Sequence, residues 1–401
     1  MKILFLCHKM PYPPNDGGAI ATLNMITGFV NHGDKVTVLA MQTYKHGFPH
    51  EDLPDSLKDS INWHQVKVNT KLNPFSVLVN LLFSKKPYNA VRFQSQAFSK
   101  ALGDILLGET YDIVQLEGLY LAPYIPVIRK FSNAKIALRA HNIEHEIWER
   151  LAQNETSISK KYYLKQLAAR IKRMEFSMLN EIDLLVPITT RDAEVLRSID
   201  ASRVFVSPTG IDNEKFKLTH PVNPKSLFYI GALDWVPNTE ALRWFLSNVW
   251  RSLQLEFPDW EFVIAGRNAP SGFVHELKAH QVNYVGEVPN STHFIDEHNI
   301  MIVPLLSGSG MRIKIIEGMA RGKCIVTTSI GAEGISAENG KAIYIQNTPD
   351  EFKKVVKNLM QNQEQIDRCG ENAFIFVQQF YNNQVIIDKL RTFYAKHLDN
   401  K

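Results

Sequence analysis

Short apolar runs alternate with longer stretches of helical periodicity along the whole chain. In the first half, runs rich in Ile, Val and Leu predict buried strands at residues 2–6, 35–41, 113–116, 135–139 and 184–188. The run at residues 62–68 alternates between apolar and polar positions, which is typical of a strand near a sheet edge. Because runs that are apolar on both faces suit parallel strands covered by helices, the pattern predicts an α/β fold.

The clearest predicted helix follows the first strand. Ala19, Leu23, Ile26 and Val30 recur at helical spacing, and Gly33 can end the helix in a left-handed conformation. Strand, Gly-Gly turn, helix and strand within residues 2–41 therefore predict a right-handed βαβ unit.

The same pattern restarts after residues 207–226, which hold three prolines and many turn formers and are predicted to form a linker. Later strands are predicted at residues 227–230, 261–265, 282–285, 300–303, 324–328 and 342–345. We expect doubly wound domains at residues 1–206 and 227–382. A last helix within residues 383–401, with Leu390, Phe393 and Tyr394 on its buried face, can pack back on the first domain.

Composition narrows the class of protein. The chain has 401 residues, 45% apolar and 21% charged, which favours two folded domains over disorder. The net charge of +4 is too small to indicate a nucleic-acid partner. Cys7, Cys324 and Cys369 form no Cys-x-x-Cys pair, which fits a reducing compartment.

The run at residues 3–7 is too short for a secretory signal, and no stretch reaches the roughly 20 residues of a membrane span. We therefore expect a cytoplasmic chain.

Two segments combine apolar residues with positive charge. Residues 72–98 contain Lys85, Lys86 and Arg92, and residues 159–176 form a basic amphipathic helix. The helix carries six cations: Lys160, Lys161, Lys165, Arg170, Lys172 and Arg173. One interpretation is a solvated helix face. The other is peripheral contact with anionic lipid headgroups, or with a phosphorylated lipid, at the inner face of the cytoplasmic membrane.

Ligands of doubly wound sheets bind beyond the C-terminal ends of the strands, so the residues there are candidates for function. Gly17 and Gly18 open the first helix, where backbone N–H groups favour an anion, although a Gly-Gly pair is also a simple tight turn. Glu117 follows a strand and can either bind a substrate hydroxyl or cap the next helix.

A histidine stands at the end of the strand predicted at residues 135–139. His141, Glu144 and His145 match the H-x-x-E-H arrangement of zinc sites, but a third ligand is not evident. Alternatively, His141 alone donates a hydrogen bond to a ligand, or it is purely structural. Asn142 lies beside it and is a second candidate for contact with an acceptor.

The most informative segment is VPLLSGSGMRIKIIEGMARGKCIVTT, residues 303–328. Small residues precede a helix predicted at residues 311–321, and such loops bind anions. Arg312 and Lys314 oppose the helix dipole in the first turn, and a bound diphosphate is the simplest compensation, although two snorkelling cations are the alternative. Glu317 can accept hydrogen bonds from a ribose. Further candidate donor-binding residues are Gly231, Asp234, Arg267, Ser309, Gly310 and Met311.

Together these segments resemble the retaining glycosyltransferase family four, which has the GT-B fold. The carriers are KILFLCHKMPYPPNDGG at residues 2–18, RAHN at 139–142, PTGID at 208–212, IAGR at 264–267, and the E-x-M-A-x-G helix at 317–322 with GAEG at 331–334. The resemblance implies two Rossmann-like doubly wound domains facing a central cleft. It places Gly17 and Gly18 against the donor phosphates, His141 beside the transferred sugar and Glu317 on the ribose.

The chain departs from that family at two places. Ser309 stands where typical members have the first of two glutamates, and GALDWVPN at residues 231–238 lacks their phosphate-binding Arg and Lys. We predict that Arg312 and Lys314 replace that pair. The chain has no Asp-x-Asp motif, so we expect neither metal nor cofactor.

The expected function is retaining, metal-independent hexosyl transfer from a nucleotide-sugar to a glycan or lipid-linked acceptor, in cell-surface polysaccharide or glycoconjugate synthesis. Three alternatives stay open: a nucleotide-sugar epimerase of GT-B fold, a non-catalytic nucleotide-binding pseudo-transferase, and a zinc hydrolase using His141, Glu144 and His145. The sequence leaves the sugar, the nucleotide, the acceptor and the oligomeric state undetermined.

Overall fold

The structure is a computed structural model, described for residues 1–44, 47–71, 73–197, 200–212, 214, 216–308 and 310–398 (for residues 74, 78 and 154 the backbone alone). The chain divides into two compact units. One comprises Met1–Thr209 with Ile386–Lys401, and the other comprises Gly210–Val385. Each unit contains a six-stranded sheet with helices on both faces, so the predicted pair of doubly wound domains is confirmed.

The first unit has a fully parallel sheet in the order β3-β2-β1-β4-β5-β6. Its strands are β1 Lys2–Cys7, β2 Lys35–Gln42, β3 Asn62–Lys67, β4 Ile113–Glu117, β5 Lys135–Ala140 and β6 Leu184–Pro187. All six predicted strands are confirmed, with ends that differ by one or two residues. The alternating strand β3 lies at the edge, as predicted, because only an edge strand leaves side chains partly in water.

Nine helices connect these strands within the described residues. They are α1 Gly17–Asn31, α2 Asp55–Ser60, α3 Pro74–Phe83, α4 Tyr88–Val91, α5 Gln96–Gly108, α6 Ile125–Phe131, α7 Glu144–Asn154, α8 Ile158–Leu179 and α9 Thr190–Arg197. Helix α1 begins where the Asp16 carboxylate accepts a hydrogen bond from the Ala19 N–H, at 2.9 Å. It ends just before Gly33, whose φ of 77° confirms the left-handed stop.

Alternate residues of each strand pack into separate cores on the two faces of the first sheet. Leu4 and Leu6 belong to the core beneath α5, α6 and α8, whereas Ile3 and Phe5 belong to the core beneath α1. The final helix, α17 Asn383–Leu398, contributes Leu390 and Tyr394 to this second core, both fully buried. The predicted third member of its buried face, Phe393, is only partly buried.

The second unit repeats the topology, with a parallel sheet in the order β12-β11-β10-β7-β8-β9. Its strands are β7 Ser226–Ile230, β8 Glu261–Ala265, β9 Asn283–Gly286, β10 Ile300–Val303, β11 Cys324–Thr327 and β12 Tyr344–Ile345. Its helices are α10 Val236–Phe245, α11 Arg251–Glu256, α12 Ser271–Ala279, α13 Ser291–Glu297, α14 Ile313–Ala320, α15 Pro349–Met360 and α16 Gln363–Phe380. The strand predicted at residues 342–345 is therefore only two residues long.

The segment predicted as a linker, residues 207–226, is largely part of the second unit, which begins at Gly210. Ile211 pairs with Asn382, and the Lys217 N–H donates to the Ala320 carbonyl at 3.1 Å. Backbone hydrogen bonds therefore hold this segment against the unit, which its proline content did not reveal. Across the described residues, no helix is both long and apolar enough to cross a membrane.

Candidate functional site

Each sheet changes its direction of winding between two adjacent strands. The switch lies between β1 and β4 in the first unit and between β7 and β10 in the second. Loops that leave the carboxyl ends of such strands form the usual ligand sites of doubly wound sheets.

In the second unit, Lys314 reaches back from the first turn of α14 to strand β7. Its Nζ donates to the Tyr229 hydroxyl at 2.7 Å and lies 3.4 Å from Asn238 Oδ1. The ammonium also lies 4.2 Å from the centre of the Tyr229 ring, which is fully buried. The side chain is therefore held at the switch point by contacts with neutral groups.

Arg312 lies beside this lysine and is 7% exposed. It is the N-cap residue of α14, so the helix begins at Ile313, two residues later than predicted. Its guanidinium carbon lies 5.6 Å from the centre of the Trp235 ring, a cation–π arrangement. A Cβ at Gly308, whose φ is 113°, would lie 2.7 Å from an Arg312 nitrogen, so the glycine leaves room for the guanidinium.

The two cations disfavour each other's charge. Burial and the nearby Arg312 charge lower the pKa of Lys314 to about 7. The predicted reason for an anion was opposition to the helix dipole, but the structure supplies a stronger one, because two partly buried cations repel each other. A bound diphosphate would offset that repulsion and raise the pKa of Lys314.

Binding of a nucleoside diphosphate should therefore weaken as pH rises above about 7, by up to about tenfold per pH unit. The ligand-free pKa of Lys314 is about 7 and the bound value is higher, so binding takes up a proton. Calorimetric titration with UDP between pH 6.5 and 8.5, in buffers of different ionisation enthalpy, measures both effects. In Lys314→Arg the extra slope should vanish, since a guanidinium keeps its proton. Equal pH slopes in both proteins would contradict this assignment.

Gly231, at the end of β7, leaves the space that the lysine occupies. A Cβ there would lie 2.6 Å from Lys314 Nζ and 3.0 Å from the Tyr229 hydroxyl. The neighbouring loop is equally tight, because a Cβ at Gly266 would lie 2.1 Å from the Gly231 carbonyl oxygen. Glycine at position 231 therefore sets the position of the ammonium.

We expect Gly231→Ala to displace Lys314 and weaken UDP binding about tenfold, while the domain stays folded. The flexible end of the lysine can move, so the loss should fall on ligand affinity rather than on folding. Gly272→Ala is the matched control, because nothing lies within 4 Å of a Cβ at Gly272. Titration of both variants with UDP, alongside thermal unfolding, checks the prediction. Unchanged UDP affinity in Gly231→Ala would argue against it.

The other residues that were predicted to bind the nucleotide-sugar donor differ in their burial within the second unit. Asp234 is exposed, and its carboxylate accepts from the Asn268 amide at 3.1 Å. Arg267 and Glu317 are partly buried and Met311 is buried. Gly310 has a φ of 83°, which only glycine adopts readily. Ser309 lies outside the described residues.

In the first unit, the carboxylate of Glu117 is 1% exposed. Its Oε2 accepts from Thr22 Oγ1 at 2.9 Å and from His141 Nε2 at 3.0 Å, and its Oε1 accepts from Gln115 Nε2 at 2.5 Å. Burial alone raises its pKa, but the Arg139 charge and the hydrogen bonds from His141 and Gln115 lower it to about 2. The carboxylate is thus ionised and enclosed.

Glu117 is therefore not positioned to bind an acceptor hydroxyl, as one prediction had it. An acceptor hydroxyl would need an accessible oxygen, whereas these oxygens are engaged inside the unit. Its carboxylate instead orients His141, fixing a proton on Nε2 and leaving Nδ1 as the other ring nitrogen. Asn142 follows at the end of β5 and is partly buried.

His8 is a candidate that the sequence reasoning missed. Its Nδ1 lies 3.1 Å from the Glu117 carbonyl oxygen, which can only accept, so Nδ1 carries the proton. Burial and the nearby Lys9 charge lower the pKa of His8 to about 4, so the ring is neutral and Nε2 is an acceptor. The signal was available: His8 follows β1 directly, just as His141 follows β5.

The zinc alternative finds no support in the geometry. His141 bonds to Glu117, His145 Nδ1 lies 2.6 Å from Glu175 Oε2, and Glu144 accepts from Tyr120. No group of three or more His, Cys, Asp or Glu side chains among the described residues could hold a metal ion.

Glu144 instead has an unusually high pKa for a carboxyl group. Its Oε2 accepts from the Tyr120 hydroxyl at 2.8 Å, and burial raises its pKa to about 7. A carboxyl with this pKa can exchange a proton near neutral pH. It begins α7, three residues after His141, and is partly buried.

The predicted anion site at Gly17 and Gly18 already contains a carboxylate. Asp16 caps the helix through the Ala19 N–H, and Lys9 Nζ lies 2.6 Å from both Asp16 oxygens. A Cβ at Gly18 would lie 3.3 Å from Asp16 Oδ1, so the glycine accommodates this ion pair. The helix start therefore offers fewer unsatisfied donors than the sequence suggested.

A model of a known protein family matches part of the second unit. Residues 224–362 match the family model described as glycosyl transferases group 1, and the Arg312–Lys314 site lies inside the match. The match covers this stretch, which is less than half of the chain. The resemblance found in the sequence is thereby confirmed for the group 1 domain.

Similarity to other proteins extends over the whole chain. A Klebsiella pneumoniae protein described as an uncharacterized 44.6 kDa protein in cps region is 26% identical over 408 residues, covering 97% of this chain and 98% of the relative. Anabaena Alr3699/HepE in complex with UDP has a TM-score of 0.67 at 13% identity, covering 99% and 100% of the two chains. Sucrose-phosphate synthase from Thermosynechococcus elongatus has a TM-score of 0.72 at 13% identity, covering 100% of both. The predicted GT-B fold is confirmed.

Proposed function

We propose that the protein is a glycosyltransferase that takes a sugar from a nucleotide-sugar donor held by the group 1 domain. The observation that carries the proposal is the pair of cations at the β7–β10 switch point, the buried Arg312 and the partly buried Lys314. That pair lies within the family match, and a structural relative of the same fold was solved in complex with UDP. The negative charges of a nucleoside diphosphate would complement the two positive side chains.

The pair has a direct chemical use in sugar transfer. As the bond between sugar and diphosphate breaks, negative charge develops on the leaving phosphate oxygen, and fixed cations stabilise it. Arg312 and Lys314 would do so without a metal. Glu317, one turn further along α14, would accept hydrogen bonds from the ribose.

The first unit supplies groups for the sugar and the acceptor. His141, whose Nε2 proton is held by Glu117, would accept from a hydroxyl of the transferred sugar through Nδ1, and the neutral His8 would accept from a hydroxyl through Nε2. We propose retention of configuration by front-face attack, in which the leaving phosphate takes the acceptor proton. Such a mechanism needs no protein nucleophile. The relative from a cps region supports an acceptor in capsule or other surface polysaccharide synthesis.

A screen of nucleotide-sugars by thermal unfolding, followed by turnover assays, tests the proposal. A matched donor at 100 times its Kd should stabilise the protein by about 2.7 kcal/mol. Slow donor hydrolysis without acceptor and transfer with acceptor are the expected reactions. An epimerase would isomerise the donor without acceptor, and a pseudo-transferase would bind without turnover. Failure of every nucleotide-sugar and nucleoside diphosphate to stabilise the protein would overturn the proposal.

We further propose that the first unit contacts an anionic membrane through α3 and α8. Helix α3 exposes a row of apolar side chains: Phe75, Val79, Leu82 and Phe83, between 40% and 84% exposed. Arg170 of α8 donates to the Asn80 and Leu81 carbonyls at 3.1 and 2.7 Å, which joins the two helices. Residues 73–98 and 158–174 contain no Asp or Glu. An apolar face beside unopposed cations suits an anionic lipid surface, here the inner face of the cytoplasmic membrane.

Co-sedimentation with vesicles tests this contact. The protein should bind vesicles containing phosphatidylglycerol, bind phosphatidylcholine vesicles weakly, and release with salt. Changing Phe75, Leu82 and Phe83 to Ser should abolish binding. The control is Leu255→Ser, which removes an 82% exposed leucine from the second unit, where Leu82 is 64% exposed in the first. Vesicle binding unaffected by the triple change would eliminate this surface.

A further inference from the structure

A continuous series of buried hydrogen bonds connects the last helix of the chain to His141. The Tyr394 hydroxyl of α17 donates to Gln115 Oε1 at 2.8 Å. Gln115 Nε2 donates to Glu117 Oε1 at 2.5 Å, and His141 Nε2 donates to Glu117 Oε2 at 3.0 Å. Tyr394 and Gln115 are fully buried and Glu117 is 1% exposed, whereas the His141 side chain is 18% exposed. All four residues belong to the first unit.

The series is directional because an amide has one acceptor end and one donor end. Since Tyr394 donates to the Gln115 oxygen, the Gln115 NH₂ group must face the carboxylate. With the amide reversed, its oxygen would face a negatively charged Glu117 and repel it. The charge of Glu117 and the hydroxyl proton of Tyr394 together hold Gln115 in this orientation.

The orientation of Gln115 in turn decides how Glu117 meets the histidine. The amide holds Oε1, so Oε2 points to His141 Nε2 and also accepts from Thr22. An ionised carboxylate on one ring nitrogen fixes the tautomer and orientation of an imidazole. Burying such a carboxylate costs free energy unless it accepts hydrogen bonds. The series supplies those hydrogen bonds, and its one partly exposed member is His141.

We propose that Tyr394 is a positioning residue for His141, acting through Gln115 and Glu117. The proposal rests on the proposed function, in which His141 Nδ1 accepts from a hydroxyl of the transferred sugar. The C-terminal helix α17 then has two roles. It completes the hydrophobic core, and through Tyr394 it holds the His141 ring, at the end of β5, in its orientation. The Tyr394 ring itself stacks on Phe29, with centroids 6.1 Å apart and planes 4° apart, so the hydroxyl can be removed separately from the ring.

Tyr394→Phe tests the proposal, because it deletes only the hydroxyl. ¹⁵N-edited spectra of histidine report which ring nitrogen carries the proton, with His141 assigned from a His141→Asn variant. In the wild type, Nε2 of His141 should be protonated at neutral pH. In Tyr394→Phe we expect a mixed tautomer population, a kcat about tenfold lower and an unchanged donor KM.

Two further variants separate positioning from general stability. Tyr381→Phe removes another buried phenol hydrogen bond, the one to the Gly334 carbonyl at 3.0 Å, and should leave the His141 signals unchanged. Gln115→Leu should reproduce the effect of Tyr394→Phe, and the double variant should add little, because both act on one series.

The outcome that overturns the proposal is a His141 spectrum in Tyr394→Phe identical to that of the wild type. The same holds if Tyr381→Phe disturbs His141 equally, since the effect would then be general. The spectra need no substrate, so they test the series even if the wild type transfers no sugar. Absence of donor binding or turnover in the wild type would instead refute the proposed function alone.

Discussion

Replacing Arg312 with Gln and Lys314 with Met together is expected to weaken UDP binding at least 100-fold. Hydrogen bonds to charged groups contribute about 1.5–3 kcal/mol each, and about 1.4 kcal/mol corresponds to a tenfold change in affinity. The pair lies at the switch point of the second sheet, with Lys314 2.7 Å from the Tyr229 hydroxyl and Arg312 beside Trp235. Calorimetric titration with UDP measures the loss.

The matched control for that experiment is Lys354→Met, which removes one exposed positive charge from the same unit. It should leave UDP affinity within about twofold, since exposed charges interact weakly through water. The double variant should also unfold no more easily than the wild type, because it removes two mutually repelling buried cations. If UDP still binds the double variant at wild-type affinity, the diphosphate site lies elsewhere.

Replacing Glu117 with Leu is expected to destabilise the protein by about 3–5 kcal/mol, because the substitution leaves the Arg139 charge buried without its carboxylate. Arg139 is 1% exposed, and its NH1 lies 3.9 Å from Glu117 Oε2. Urea unfolding at pH 7 measures the effect. In Glu117→Leu/Arg139→Leu the loss should be smaller than the sum of the two single losses, because no charge is left unpaired.

The stability that Glu117 contributes should decrease as pH falls. The folded pKa of Glu117, about 2, lies below the value of about 4.3 for an unfolded chain. Its contribution of about 3 kcal/mol is therefore present above pH 4.3 and lost as pH falls towards 2. The stability difference between wild type and Glu117→Leu should shrink over that range. Glu338→Leu, which removes a carboxylate whose side chain is 70% exposed, should show no comparable loss. A Glu117→Leu protein as stable as the wild type would contradict the buried ion pair.

Much of the architecture could be predicted from local patterns. Apolar runs located five strands of the first sheet and the six strands of the second, because burial on two sides demands such runs, and an alternating run located the edge strand β3. Gly33 marked the end of α1, since only glycine adopts its φ without strain. The helix bearing Glu317 was found from its small and apolar residues. These are properties of neighbours in the chain, which one sequence displays directly.

The candidate site was predictable in part. His141 and the Arg312–Lys314 pair were chosen because they follow strand ends. The topology puts the end of β10 at a switch point, whereas β5, which precedes His141, lies next to β4 and one strand away from the switch. His8 satisfies the same rule and was missed for lack of a motif. Glu117 was misjudged, because its burial depends on Gln115, Arg139 and His141, which β4 and β5 bring around it.

By itself, then, the sequence determined the two parallel α/β units, the resemblance of the second unit to glycosyl transferases group 1 and the loops where charge gathers, because periodicity and turn chemistry act over a few residues. Only the tertiary structure decided which way each polar side chain points. Lys314 turns to Tyr229, 85 residues earlier, and Tyr394 reaches Gln115, 279 residues earlier. Such pairings, and the pKa values they produce, follow from strand order and burial, which no local pattern records.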